Sequence, residues 1–271
     1  MDQTGHEEIE RQIEELCPWF HNLHLPNGQQ TAPDHFLGDF PAYKWQELGT
    51  ALPNDLRGWT ALDIGCNAGF YTIELALRGA DVTAVDMNPH YLKQARWAVE
   101  VFGLSARVQL LQRQVYQLSE LEQQFDLVLF LGVFYHLRYP LLGLDIVARK
   151  ARRLLAFQTL SMPGREILNP GEDRDINDRA AMNEPGWPKM AFIENRLAGD
   201  RTNWWAPNHA GIEAMLRSTG MQIVGYPGTE TYLCTPEANG TSPITTWDAE
   251  EFLAATGRLD APSDPQERVR E

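Results

Sequence analysis

Cysteine is scarce. Three thiols in 271 residues, Cys17, Cys66 and Cys234, make an odd, widely spaced set, which argues against a disulfide framework and suits a reducing compartment. Long apolar runs are missing too. The longest, "LVLFLGVFY" at 127–135, is about half of what a membrane helix needs. Basic charge is short: 23 Lys and Arg face 37 Asp and Glu, for a net charge of −14 and a pI near 4.9. Such a field repels phosphate backbones, so nucleic acid is not the expected partner. The densest basic cluster, "ARKARR" at 148–153, reads as the carboxyl end of a helix, where cations complement the dipole. The amino-terminal "MDQTGHEEIERQIEEL" is acidic and helical, unlike a secretory leader. A soluble, cytoplasmic protein without internal repeats is the expectation.

What is present is alternation. Ile9, Ile13 and Leu16 recur at helical spacing before Pro18. An irregular stretch from Trp19 to Tyr43 follows, rich in His, aromatics, Pro and Gly, which reads as an ordered cover. Beyond a helix at "KWQELGTAL", strands "TALDIG", "DVTAVD", "RVQLLQ", "FDLVLFLG" and "RLLAFQTL" are separated by helical segments. That spacing gives βαβ units and a parallel sheet buried on both faces. Residues 162–203 break the pattern as a Pro-, Gly- and Asp-rich insertion. A helix at "APNHAGIEAMLRSTG" and two strands, "MQIVGY" and "TETYLCT", then close the sheet as an antiparallel pair. The expected fold is α/β, a doubly wound Rossmann-like seven-stranded sheet, mostly parallel with an antiparallel last strand. It carries a helical and loop cover over 1–50, a main domain over 51–236 with a lid-like insertion at 162–203, and a polar, mobile tail over 237–271 with one short helix at "DAEEFLAATG".

Ligands of open α/β sheets bind beyond the carboxyl ends of the strands, where a glycine-rich turn meets a helix. Here that turn is Asp63-Ile64-Gly65-Cys66-Asn67-Ala68-Gly69, and Asp86 closes the next strand, where a carboxylate takes ribose hydroxyls. The dinucleotide pattern G-x-G-x-x-G is absent, since Gly65 and Gly69 lie four apart with Asn67 between them. A carboxylate at Asp63 would repel a pyrophosphate and suit a cationic nucleoside such as S-adenosylmethionine. A plain βα turn without a ligand would leave acid at both strand ends unexplained.

"LDIGCNAG" and "AVDMNP" resemble the first two motifs of the class I S-adenosylmethionine-dependent methyltransferases. Within that class, "FDLVLFLGVFYHLRYPLLGL", "KWQ" and "NWWAPNHAGIEAMLRSTGM" resemble the family that modifies the tRNA wobble uridine with a carboxymethyl group. The resemblance implies that Lys44 meets the methionine end of the cofactor, that Asp63, Gly65 and Gly69 cradle it, and that Asp86, with Met87 beside it, holds the ribose. Gln114 and Val115 would flank the adenine, and Gly132 and Tyr135 would lie near the sulfonium. The family reads the extra carboxylate of carboxy-S-adenosylmethionine with a lysine after P-W-x and an arginine before the last strand. This chain has Phe20 and His21, and Thr229, Glu230 and Thr231, at those places. An unpaired buried carboxylate is costly, so ordinary S-adenosylmethionine and a small-molecule acceptor are expected.

For catalysis, Tyr135 and His136 follow the fourth strand at the sheet's carboxyl edge, Tyr135 as a site-lining residue and His136 as a general base, with a structural histidine the plainer alternative. His21, His24, Asp34 and His35 have the residue types of a metal site, but the irregular segment favours pocket lining and no metal is expected. The acidic "EDRDINDR" and Trp187, Trp204 and Trp205 either hold a polyhydroxylated substrate or simply pack and solvate the insertion. Competing functions are a tRNA-directed alkyltransferase, a non-catalytic S-adenosylmethionine-binding module and an NAD-dependent oxidoreductase; the last is disfavoured by Asp63 and the glycine spacing.

Overall fold

A computed structural model describes residues 3–168, 171, 173–237 and 245–258. Helix α1 (Gln3–Glu15) and α2 (Phe40–Ala51) precede β1 (Thr60–Ile64), α3 (Phe70–Leu77), β2 (Asp81–Asp86), α4 (Pro89–Val101), β3 (Val108–Gln112), β4 (Phe125–Leu131), α5 (Pro140–Ala148) and β5 (Ala151–Gln158). The insertion contributes β6 (Met190–Phe192) and β7 (Trp205–Pro207), a two-stranded antiparallel ribbon. Then come α6 (His209–Ser218), β8 (Met221–Gly228), β9 (Thr231–Pro236) and α7 (Thr246–Ala255).

Seven strands form one sheet in the order β3-β2-β1-β4-β5-β9-β8. β9 runs antiparallel between β5 and β8, while the other neighbouring pairs are parallel. The order reverses between β1 and β4, the switch point where open α/β sheets take their ligands. Alternation along the central strands sends Ala61, Leu127, Leu129 and Ala156 to one core and Leu62, Val128, Phe130 and Phe157 to the other, as a sheet covered on both faces requires. α3, α4 and the amino-terminal cover pack on the first face, α5 and α6 on the second.

The cover shares the first core. Leu16, Trp19, Leu23 and Leu25 are buried with Trp45 and Leu48 of α2. α1 is tied to α4 by Trp97 Nε1, which donates to Gln12 Oε1 at 2.8 Å, and by Gln94 Nε2, which donates to the Leu16 and Pro18 carbonyls at 2.7 and 2.9 Å. The insertion includes a short 3-10 turn at Arg179–Asn183 as well as the β6–β7 ribbon. The tail supplies α7, overlapping the short helix expected there. The mobility expected for the rest of the tail falls largely outside the described residues.

One expectation changes. "ARKARR" is not a helix end throughout, because α5 stops at Ala148 and Arg152 and Arg153 belong to β5. The reason is a buried carboxylate on the neighbouring strand: Asp126, 3% exposed, accepts from Arg152 Nη2 at 2.7 Å and Nε at 3.1 Å and forms an ion pair with Arg153 Nε at 3.1 Å. The Thr60 amide donates to it at 3.0 Å. Asp126 therefore ties β1, β4 and β5 together at the amino-terminal edge. Asp126→Ala strands the Thr60 amide and both guanidinium groups at that edge. A loss of about 2 kcal/mol is expected, visible as a lower urea midpoint with an unchanged m value.

Candidate active site

β1 ends in a turn whose backbone leaves little freedom. Gly65 has φ +73°, and a Cβ there would lie 2.4 Å from Val133 Cγ2 in the loop after β4, so only glycine fits. Asn67 follows at φ +51°, a left-handed conformation that asparagine tolerates better than most side chains. Its Oδ1 accepts from the Ala68 amide at 2.8 Å. Asn67 thus fills the place of the middle glycine by its own backbone geometry. Gly69 immediately precedes α3, whose first turn faces the switch point.

Two acids lie under this turn. Asp63 is 2% exposed and accepts from Thr72 Oγ1 of α3 at 2.6 Å. Burial, with Asp86 nearby, pushes its pKa up to about 6, despite the Thr72 bond. Asp86, 8% exposed, accepts from the Asn67 amide at 3.0 Å through Oδ2 and from the Asn88 amide at 2.8 Å through Oδ1. Its pKa is also raised by burial. Asp86 therefore joins the two loops that follow β1 and β2. The Met87 amide bears on the same carboxylate, which keeps accepting capacity suited to a ribose hydroxyl. Asp63 supplies negative charge beneath the turn, and the N-terminus of α3 offers backbone donors and a positive dipole end for a carboxylate. A zwitterionic, sulfonium-bearing nucleoside fits these groups; a pyrophosphate would meet the charge of Asp63.

Met87 is exposed directly beyond Asp86. Gln114 caps the 3-10 turn that follows β3, exchanging bonds with Gln117, and Val115 is buried beside it. Gly132 and Tyr135 lie just beyond β4, with the Tyr135 hydroxyl 3.8 Å from the position of a Cβ on Gly132. Lys44 reaches the same edge from α2, its Nζ donating to Gln158 Oε1 at 3.2 Å; burial lowers its pKa while Glu230 opposes the shift. The structure brings Lys44, Gly132 and Tyr135 to the end of β4 and β5, and Asp63, Gly65, Gly69 and Asp86 to the ends of β1 and β2. Gln114 and Val115 sit at the flank after β3.

His136 Nδ1 lies 2.9 Å from Thr202 Oγ1, 3.2 Å from the Thr202 carbonyl and 3.9 Å from Asp200 Oδ2. A carbonyl only accepts, so Nδ1 carries the hydrogen and Nε2 keeps its lone pair. Burial lowers the His136 pKa although Asp200 and Thr202 oppose it, so the ring is neutral at pH 7. Tyr135 is held as a phenol, its pKa raised to about 12 by burial and by Glu230 and Asp200.

The remaining candidates diverge. His21 is buried against Phe40, Phe70 and Tyr71, its pKa driven to about 3 by burial and by Lys44. His24 pairs with Asp39 at 2.5 Å, and His35 packs on Phe20 and Phe36. Among the described residues no group of three His, Cys, Asp or Glu is placed to hold a metal ion. Trp204 lies 16° from parallel with Phe192, with Arg138 against both rings, and the Trp204 amide donates to the Tyr135 carbonyl at 2.9 Å. Trp205 Nε1 donates to the Leu137 carbonyl at 3.1 Å, and Trp187 packs against Arg174. These contacts hold the insertion onto the turn after β4. In the acidic run, Arg174 pairs with Asp178 at 3.0 Å and Asp175 accepts from Asn177, all on an exposed surface. A surface cleft lined by Thr60, Asp81 and Arg107 lies at the opposite, amino-terminal edge of the sheet, away from this chemistry.

Residues 61–156 match the family model described as a methyltransferase domain. With the sheet order and the acid-lined turn, this gives residues 61–156 a methyltransferase domain of the kind that uses S-adenosylmethionine as its cofactor. Among curated proteins the chain is similar to the tRNA U34 carboxymethyltransferase of Shewanella loihica, 27% identical over 82% of this chain and 71% of that protein. Its counterpart in Colwellia psychrerythraea is 28% identical over 93% of this chain and 70% of the other. Among solved structures, the N-terminal domain of EvdMO1, crystallised in the presence of SAH and D-fucose, superposes with a TM-score of 0.58 at 21% identity, over 87% of this chain and 95% of that one. It shares the fold. No helix among the described residues is long and apolar enough to cross a membrane.

Gln158, Ser161, Asp200 and Thr202, gathered with Glu230 near Tyr135 and His136, carry no local pattern in the sequence, where Glu230 stands out only as lacking the charge of the family's arginine. The one legible signal was a polar residue ending the otherwise apolar run "LLAF" of β5.

The raised Asp63 pKa has a consequence for ligand uptake. Near and below pH 6 the apo protein holds a proton on Asp63 that a cationic ligand must expel. Affinity for S-adenosylmethionine, measured by calorimetry, should be flat above pH 7 and weaken towards pH 5, by at most about tenfold per pH unit for one proton. Asp63→Asn should bind more weakly at pH 8 and lose most of that slope.

Proposed function

We propose that the enzyme methylates a hydroxyl group of a small, polar, non-phosphorylated molecule, with His136 as general base. The observation that carries this reading is the orientation of His136, whose Nδ1–H is committed to Thr202 and whose neutral Nε2 is left to receive a proton. A hydroxyl acceptor must lose a proton as it is alkylated, whereas a preformed anion needs no base. When bound, S-adenosylmethionine supplies a methyl group on a cationic sulfur that departs as a neutral thioether. The chain's share is to align the acceptor oxygen with that methyl, exclude water and take the hydroxyl proton on Nε2. Tyr135 remains protonated and serves as a wall and hydrogen-bond donor.

A small acceptor is supported by the closure of the site. The insertion is bonded to Tyr135 and His136 through Trp204 and Thr202, and the acids Asp200 and Glu230 bear on Tyr135. Such a lining suits hydroxyl donors and repels phosphates. The second reading, a tRNA wobble-uridine alkyltransferase, rests on the similarity to the carboxymethyltransferases.

Methyl-labelled S-adenosylmethionine, incubated with the protein and either bulk tRNA or a panel of sugars and other polyols, separates the two. Label is expected in the polyol fraction; label confined to tRNA would overturn the small-molecule reading. D-fucose is a first member of the panel, being the sugar present with the EvdMO1 domain. His136→Gln should lower kcat about 100-fold or more with cofactor affinity nearly unchanged. Because burial places the His136 pKa below the ordinary histidine value, the rate should be level across pH 7–8. It should fall only as the pH drops below the usual histidine range and the ring protonates, and His136→Gln should remove that acid limb.

A further inference from the structure

The carboxyl edge of β5 carries a row of polar groups that the nucleoside cradle and the imidazole leave unused. Lys44 Nζ donates to Gln158 Oε1 at 3.2 Å, and Gln158 Nε2 donates to Glu230 Oε2 at 3.4 Å. Glu230 Oε1 accepts from the Ser161 amide at 3.1 Å and from Ser161 Oγ at 2.9 Å. A lysine only donates and an ionised carboxylate only accepts, so the Gln158 amide has a single orientation. Gln158 is 4% exposed, and its strand position pairs with Thr231, the residue after Glu230. The hairpin between β8 and β9 thereby fixes where the carboxylate sits.

The row faces the reacting end of the site. A Cβ on Gly132 would lie 3.8 Å from both Gln158 Oε1 and the Tyr135 hydroxyl, so amide, phenol and glycine border one small space at the end of β4. Within the row the two oxygens of Glu230 differ. Oε1 has two good donors, while Oε2 has one long bond and capacity for another. The ammonium of Lys44 is already bonded to Gln158 and is balanced by Glu230. The charges of Lys44 and Glu230 offset each other, and the remaining hydrogen-bond-accepting capacity of the row lies at its Glu230 end.

We propose that Glu230 determines which alkyl group the site admits: its Oε2 passes a methyl-bearing sulfonium, bars one whose transferred carbon carries a carboxylate, and accepts a hydrogen bond from the neutral acceptor. The proposal rests on the reading of this edge as the acceptor side of the site, and it does not depend on His136. A second carboxylate placed in this half-buried space competes with Glu230 for the Lys44 ammonium, and two like charges sharing one cation is a contact of the kind that changes affinity by about 100-fold.

Calorimetry on the intact protein, with S-adenosylmethionine and with carboxy-S-adenosylmethionine, tests it. The wild-type chain should prefer the former by about 100-fold. Glu230→Gln, nearly the same shape without the charge, should bring the ratio below tenfold, chiefly by tighter binding of the carboxylated compound. Glu230→Ala should do the same, and thermal midpoints and circular dichroism of both variants report whether the hairpin is intact; if one variant fails to fold, the other decides. A wild-type ratio near one, or a ratio unchanged in the folded variants, overturns the proposal. If the ratio collapses as expected while no polyol accepts label, the acceptor reading falls and the role of Glu230 stands. If polyols are methylated but the ratio does not move, Glu230 alone is wrong.

Discussion

The constraint on which the site depends is the burial of two carboxylates beneath one turn. Raising Asp63 from 3.8 to about 6 corresponds to about 3 kcal/mol of disfavoured charge in the folded, ligand-free protein at neutral pH. The sign follows from proton binding. Between about pH 4 and 6 the native state holds a proton that the unfolded state has released, so stability falls by this amount as pH rises through that window. A cation bound above the turn returns part of it. The neighbouring choices serve the same arrangement: Thr72 satisfies one oxygen of Asp63, the Asn67 and Asn88 amides hold Asp86, and Gly65 lets the turn pass Val133.

The acids and glycines around the turn after β1 were legible in the sequence because they are local. Asp63, Gly65 and Gly69 lie within one turn, and Asp86 is one helix and one strand away, so periodicity and punctuation place them together without knowledge of the fold. The alternation of strands and helices was legible for the same reason, since a strand buried on both faces leaves a nearly continuous apolar run. The insertion after β5 and the antiparallel closing pair also followed from composition and spacing.

The polar groups at the carboxyl ends of β4 and β5 are assembled from distant segments. Lys44, Gln158, Ser161 and Glu230 come from α2, β5, the stretch just before the insertion and the β8–β9 hairpin. His136 meets Asp200 and Thr202 from 64 and 66 positions away. No local pattern announces such groups, and a carboxylate in a hairpin turn looks like any solvated surface acid until the register of β9 is known. The "ARKARR" run misled for a related reason. Read locally, its charges suit a helix end, but their partner Asp126 lies on another strand and draws Arg152 and Arg153 into β5.

The amide of Trp204 and the carbonyl of Tyr135 are joined by a single backbone bond, two positions from the Thr202 that holds the imidazole. The segment 202–204 and the turn that carries Tyr135 and His136 are therefore one mechanical unit. Transplanting that segment onto a related scaffold would carry the setting of the His136 ring along with the path of the chain. Over evolutionary time, neither can be altered without retuning the other in the same step.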